Sequence, residues 1–270
     1  MAFDKVILFM TDAVRPDYLG CYGSNNHTPN IDSLAENGIK FNNCYTAAPW
    51  TVPSFYSLIT GKYPSQHGIG WGVKEVESDK TRRLNEFKKL GYETILMTDC
   101  YWLSRRFGYG NVFDRNFEFW NYLHNNGNTL KGFVKILNAF IKKIRYKPGR
   151  NDKRIINMLK NIVAFEKKQF IIVHLMSAHL PLNPGLLRIN IKDVASGKIQ
   201  LSNDLKREYR NEYARAVRLI DSLIGSFIRY LKDKGLFDRS LIGIFSDHGE
   251  NLGDHGLIDH QFSLSYYLMK

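Results

Sequence analysis

Four short apolar runs, each stopping abruptly at polar residues, limit what this chain can fold into more than any other feature. Val6 to Met10 ends in Thr11-Asp12, and Glu93 to Thr98 ends in Asp99. Phe170 to Leu175 leads into Ser177-Ala178-His179, and Leu241 to Phe245 ends in Ser246-Asp247-His248. Continuous apolar runs of this length read as strands buried on both faces, and such strands belong to parallel sheets. Helical patterns lie between them. One starts at Thr28-Pro-Asn-Ile-Asp32 and stops at Gly38, one is expected from Pro53 to Thr60 before Gly61, and one covers Arg82 to Leu90 ahead of Gly91. The longest spans Leu205 to Leu231, with Tyr209, Tyr213, Val217, Ile220, Ile224, Phe227 and Leu231 on one core face. Ile39 to Tyr45 reads as a further strand. This alternation predicts an α/β fold with a mainly parallel central sheet sandwiched by helices, and 270 residues suit one such domain, 1–270.

In open α/β sheets ligands gather at the carboxyl ends of the strands. Asp12, His179, Asp247 and His248 each follow a predicted strand, so one sheet edge can collect residues far apart in sequence. Thr51 stands just ahead of a predicted helix, where free N–H groups favour an anion. Each residue also has a plainer reading. Asp12 could cap a turn, Thr51 a helix, and His179 could be a satisfied loop histidine.

The formal net charge is +12, which suits an anionic partner without choosing its class. Residues 131–168 carry twelve Lys or Arg against Asp152 and Glu166. They read as a basic insertion of two amphipathic helices broken around Pro148-Gly149. Such helices can lie on an anionic membrane surface, or face a core with a solvated basic side. Nucleic acid is not an expected partner, because no nucleic-acid module is present. Three scattered cysteines, Cys21, Cys44 and Cys100, suit a reducing compartment. The sequence shows no leader pattern and no apolar run near ~18 residues. The expectation is a cytoplasmic chain, peripheral to a membrane at most.

Three segments resemble one family. The first is Asp12-Ala-Val-Arg-Pro-Asp-Tyr-Leu-Gly-Cys-Tyr-Gly23 with Thr28-Pro-Asn-Ile-Asp-Ser-Leu-Ala35. The second is Pro49-Trp-Thr-Val-Pro-Ser54 with Leu58-Ile-Thr-Gly-Lys-Tyr-Pro64, and the third is Phe245-Ser-Asp-His-Gly-Glu250 with Gly253-Asp-His-Gly-Leu257. In order and spacing they resemble the sulfatase-like branch of the alkaline phosphatase superfamily, over nearly the whole chain. The resemblance implies an alkaline phosphatase-like fold and a single divalent metal ion, Mn, Zn, Mg or Ca. Asp12, Asp247 and His248 would be its ligands, with the nucleophile Thr51 also touching the ion. His179 and His260 match family positions that bind the substrate anion or protonate the leaving group, a role that suits imidazole near neutral pH. Lys62 could reach the anion or remain a solvated surface lysine.

The departures sharpen the reading. Sulfatases proper carry Cys or Ser, matured to formylglycine, where Thr51 stands, and an Arg where Phe55 stands; Thr51 cannot make the aldehyde. Ala13 replaces the second of two acids after the first strand. The stretch from Gly91 to Trp102 lacks the Lys and His that arylsulfatases use for sulfate. A Thr nucleophile with Asp, Asp and His is similar instead to the phosphoethanolamine and phosphoglycerol transferases. The expected activity is therefore cleavage or transfer of a phosphate ester through a covalent Thr51 intermediate, on a glycan, lipid headgroup or small molecule. Two alternatives stand beside it: a sulfatase working without formylglycine, and a non-catalytic anion-binding relative or remnant. The family pattern continues past Lys270 with a further strand and a subdomain, so the chain is expected to be truncated, its C-terminal subdomain missing.

Overall fold

The computed structural model describes residues 3–70, 81–120, 151–180, 191–260 and 266–270. Its strands are β1 (Lys5–Thr11), β2 (Glu93–Thr98), β3 (Arg115–Glu118), β4 (Gln169–Leu175) and β5 (Ser240–Ser246). They form one parallel sheet in the order β3-β2-β4-β1-β5, and a two-residue antiparallel pair, β6 (Asn251–Leu252) and β7 (Ile258–Asp259), follows. The helices are α1 (Pro29–Glu36), α2 (Thr51–Thr60), α3 (Pro64–His67), α4 (Arg82–Lys89), α5 (Asp152–Ile162), α6 (Ile191–Ala195), α7 (Asn203–Asp233) and α8 (Tyr266–Met269).

Side chains alternate across the sheet, so each strand feeds two cores. Ile7 and Phe9 of β1, with Ile171 and Val173 of β4, pack against Ile155 and Leu159 of α5 and Val217, Ile224 and Phe227 of α7. Val6 and Met10, with Phe170 and Ile172, pack against Val52, Phe55 and Ile59 of α2 and Leu84 of α4. Ser202 caps α7 by accepting from Leu205 N at 3.2 Å.

Register is what positions the site. Thr11 pairs with Leu175 on one side and Ser246 on the other, so the three central strands end level. Asp12 and Asp247 therefore emerge side by side on the carboxyl edge.

Two expectations need correction. Residues 39–45 form no strand: Ile39 is 84 % exposed and Phe41 66 %, and among the described residues no strand pairs with their backbone. Instead Thr46 ties this segment to α8 through Thr46 N–H to Met269 O at 2.7 Å. Helix α2 starts at Thr51 rather than Pro53, since proline is tolerated anywhere in the first turn, where its missing N–H has no intrahelical partner. Of the basic stretch, 131–150 lies outside the described residues. Its continuation α5 buries Ile155, Ile156 and Leu159 against the sheet and leaves Lys153 and Arg154 exposed, the core-facing alternative. Among the described residues no helix is long and apolar enough to cross a membrane. The short β3, with the polar sequence RNFE, gave no apolar run to read.

Candidate metal centre and nucleophile

The site sits where β1, β5 and the start of α2 meet. Thr51 is the first residue of α2 and is 6 % exposed; Trp50 ahead of it supplies no side-chain cap, so the first N–H groups of the helix stay available. Thr51 Oγ1 lies 3.4 Å from Asp12 Oδ2 and 3.3 Å from His248 Nε2. His248 Nε2 is 3.4 Å from Asp12 Oδ1 and 3.7 Å from Asp247 Oδ2. These separations are long for hydrogen bonds. They match the spacing of ligand atoms sharing one ion: atoms about 2.1 Å from a metal, at angles of roughly 90 to 125°, lie about 3.0 to 3.7 Å apart.

The lone pairs are aimed accordingly. His248 Nδ1 donates to Gly249 O at 2.8 Å, which orients the ring with Nε2 facing Asp12 and Thr51. Asp247 Oδ1 accepts from His248 N at 2.9 Å and Ala13 N at 3.2 Å. Ala13 takes a left-handed conformation, φ 62°, to aim that N–H, and Tyr213 holds it by donating its hydroxyl to Ala13 O at 2.6 Å. Asp12 Oδ1 and Asp247 Oδ2 remain buried without hydrogen-bond partners. Two orphaned carboxylate oxygens and one imidazole lone pair thus converge in a closed site, and a divalent cation fits that donor set.

The electrostatics point the same way. Burial would raise Asp12, but the His179, His174 and His248 imidazoles outweigh it and hold the carboxyl well below its usual range. Burial and then the Asp12 charge push Asp247 up. The two carboxyls are therefore not both comfortable as ions until positive charge joins them.

His174, which carried no role in the sequence reading, lies under the site. Its Nε2 is 3.1 Å from Asp12 Oδ2, a close but poorly aligned contact, and 4.0 Å from Asp247 Oδ2. Its Nδ1 meets Thr98 Oγ1 at 3.0 Å, and Thr98 Oγ1 also accepts from Cys100 N at 3.0 Å, which fixes the ring with Nε2 facing the carboxylates. A histidine inside an apolar strand, in phase with Phe170 and Ile172 on the α2 face, was the available signal. It supplies polarity beside Asp12 where Ala13 has removed a second acid.

His179 and His260 form one wall. Their rings lie 5.2 Å apart, and His260 is 4.3 Å from the His248 ring. The loop that carries His179 is anchored by Asp152, which accepts from Met176 N at 3.0 Å, Ser177 N at 2.8 Å and Ser177 Oγ at 2.5 Å. Asp152→Ala is expected to leave those donors buried and unpaired and to cost about 2–4 kcal/mol in urea unfolding. A loss below ~0.5 kcal/mol would mean the loop does not depend on this anchor.

Lys62 is not brought to the site. It is exposed, just past the αL cap Gly61 that ends α2, whereas Thr51 opens the helix. Ten residues of helix put roughly 15 Å between the two ends. His67 bonds Ser57 Oγ at 3.0 Å and is structural. Arg15 is buried and occupied by Asp17 at 2.7 Å and Asp254 at 2.5 Å.

Beside His174, burial pushes Asp99 up to about 6 from 3.8, despite the hydrogen bond from Asn151 Nδ2 at 2.9 Å. The folded chain therefore holds a proton that the unfolded chain releases. This contribution is full below about pH 4 and is lost as pH rises through about 6. Asp99→Asn should flatten that slope and add up to about 3 kcal/mol above pH 6. Urea unfolding at pH 4 and pH 7.5 checks this; an equal change at both would contradict it.

The extent of the sequence match decides the family. The Sulfatase family pattern covers residues 4–266. The chain belongs to the sulfatase family. An arylsulfatase of Clostridium perfringens is 23 % identical over 311 aligned residues, covering 93 % of this chain and 64 % of that protein. The sulfatase-family chain spans less than two thirds of the length of that and other curated relatives it matches. In fold it superposes on the phosphonate monoester hydrolase of Agrobacterium radiobacter with a TM-score of 0.69 at 17 % identity, over 98 % of this chain and 66 % of that one. The C-terminal periplasmic domain of EcEptC from Escherichia coli, in a complex with Zn, gives 0.63 at 17 % identity, over 97 % and 69 %. The fold is thus that of the alkaline phosphatase superfamily.

Proposed function

We propose that this chain carries the catalytic centre of a metal-dependent hydrolase or transferase that cleaves phosphate esters, with Thr51 as nucleophile. The observation that carries the reading is the position of Thr51 Oγ1, at a helix N-terminus and 3.3 to 3.4 Å from two candidate metal ligands. The set Asp12, Thr51, Asp247 and His248 suits one divalent ion. When bound, that ion would acidify the Thr51 hydroxyl and draw charge from the substrate's non-bridging oxygens.

The chain's own residues supply the rest. Asp12, held ionised, orients the Thr51 hydroxyl. The free N–H groups of α2 meet the anionic group as charge builds on it. Thr51 gives up its hydroxyl proton to solvent water, its Oγ attacks phosphorus, and the bond to the ester oxygen breaks. His179 or His260 delivers a proton to that departing oxygen. Water or an acceptor alcohol then releases the phosphoryl group from Thr51.

Sulfate esters are the second reading, favoured by the sulfatases among the relatives, such as the N-acetylglucosamine-6-O-sulfatase of Bacteroides thetaiotaomicron. Phosphate is preferred because Thr51 is an alkoxide nucleophile and not an aldehyde precursor. Chromogenic phosphodiester, phosphomonoester and sulfate ester substrates, each with added Mn²⁺, separate the two. Cleavage of a phosphoester that Thr51→Ala abolishes supports the proposal. Cleavage of the sulfate ester alone would replace it with the second reading.

A further inference from the structure

Beyond the Asp12–Asp247–His248 cluster, the described residues hold a second buried group of acids and imidazole. Glu250, Asp259 and His260 each present one ligand atom within 4.8 Å of the others. His260 Nδ1 is 3.1 Å from Asp259 Oδ1 and 3.4 Å from Glu250 Oε2, again the spacing of atoms around one ion. Glu250 is fully buried, and its Oε1 has no hydrogen-bond partner.

A protonated His260 bridging two carboxylates is the plainer account. It does nothing for Glu250 Oε1, which stays buried without a partner. Arg15 donates to the Glu250 carbonyl at 2.9 Å. Asp259 also holds a left-handed conformation, φ 71°, uncommon for a non-glycine residue. Here it turns the carboxylate onto His260.

We propose that Glu250, Asp259 and His260 form a second divalent-cation site beside the first. The shared wall of His248 and His260, rings 4.3 Å apart, makes the two sites neighbours. The second site does not depend on Thr51 being the nucleophile. It needs only hard oxygen ligands and one imidazole, a set suited to Mn²⁺ or Zn²⁺.

The test is the Mn²⁺ stoichiometry of the whole chain, stripped of metal and reloaded, by elemental analysis after gel filtration and by electron paramagnetic resonance. Two ions per chain are expected, with a spectrum broadened by coupling between close Mn²⁺ centres. Glu250→Gln with Asp259→Asn should hold one uncoupled ion, and Asp12→Ala should also hold one. If the wild-type chain saturates at one ion that Asp12→Ala removes, the second site is overturned and the first stands. If the single ion survives Asp12→Ala and is lost in Glu250→Gln, the second site stands and the first reading fails. Should the double variant not fold, the wild-type and Asp12→Ala chains decide: a single ion at saturation that Asp12→Ala removes overturns the proposal.

Discussion

Thr51→Ala is expected to reduce turnover of any ester this chain cleaves by at least ~10³-fold, the scale of losing a nucleophile that no neighbour replaces. Folding should be little affected. Thr51 is one small side chain at the first turn of α2, and the helix is held by Val52, Phe55, Tyr56 and Ile59 in the core. Thr51→Ser keeps the hydroxyl and should retain measurable turnover. Equal losses in Ala and Ser would point to packing by the Thr methyl group. Undiminished turnover in Thr51→Ala would remove Thr51 from the chemistry.

The second large effect is a reversal of sign at Asp247. Without metal, its ionised form is opposed by burial and by Asp12, so its folded pKa is raised and its charge costs stability at neutral pH. Asp247→Asn can keep the bonds from Ala13 N and His248 N through its Oδ1 and removes the charge. In chelator at pH 7.5 the variant should therefore unfold at a higher temperature than the wild-type chain. With Mn²⁺ at about 100 times its dissociation constant, the wild-type chain should gain about 2.7 kcal/mol and overtake the variant. A variant less stable under both conditions would mean that the carboxylate serves folding and not an ion.

The legible part of this protein is where local pattern and global fold agree. The apolar runs of β1, β4 and β5 announced parallel strands, buried in β1 and β4 but only half-buried in β5 at the end of the described sheet, and their parallel pairing fixed where Asp12 and Asp247 would emerge. The long helix α7 was readable because a 3.6-residue period over its whole length admits no other structure. Residues 39–45 misled for the complementary reason. Apolar content says that a segment can be a strand, but a strand needs a hydrogen-bonding partner, and sequence does not show whether an edge is available.

The site divides the same way. Asp12, Thr51, Asp247 and His248 lay in motif segments, and their positions after strands or before a helix predicted convergence. Lys62 lay in a motif segment too, but on the wrong end of α2, a distance that ten intervening residues already implied. His174 was hidden because a buried histidine in a strand has several ordinary explanations. Only the pairing of β2 with β4, which sets Thr98 against it, fixes its ring orientation. Asp259 was hidden by conformation, since nothing local says that its backbone will be left-handed.

The most direct test of Thr51 as the nucleophile is to trap the covalent intermediate. The metal-loaded chain is mixed with an activated phosphodiester, quenched in acid within one turnover, digested, and its peptides sequenced by mass spectrometry. The account predicts a phosphoryl ester on Thr51, absent from the Thr51→Ala chain. Ester cleavage with an unmodified Thr51, or with the phosphoryl group on another residue, would contradict it.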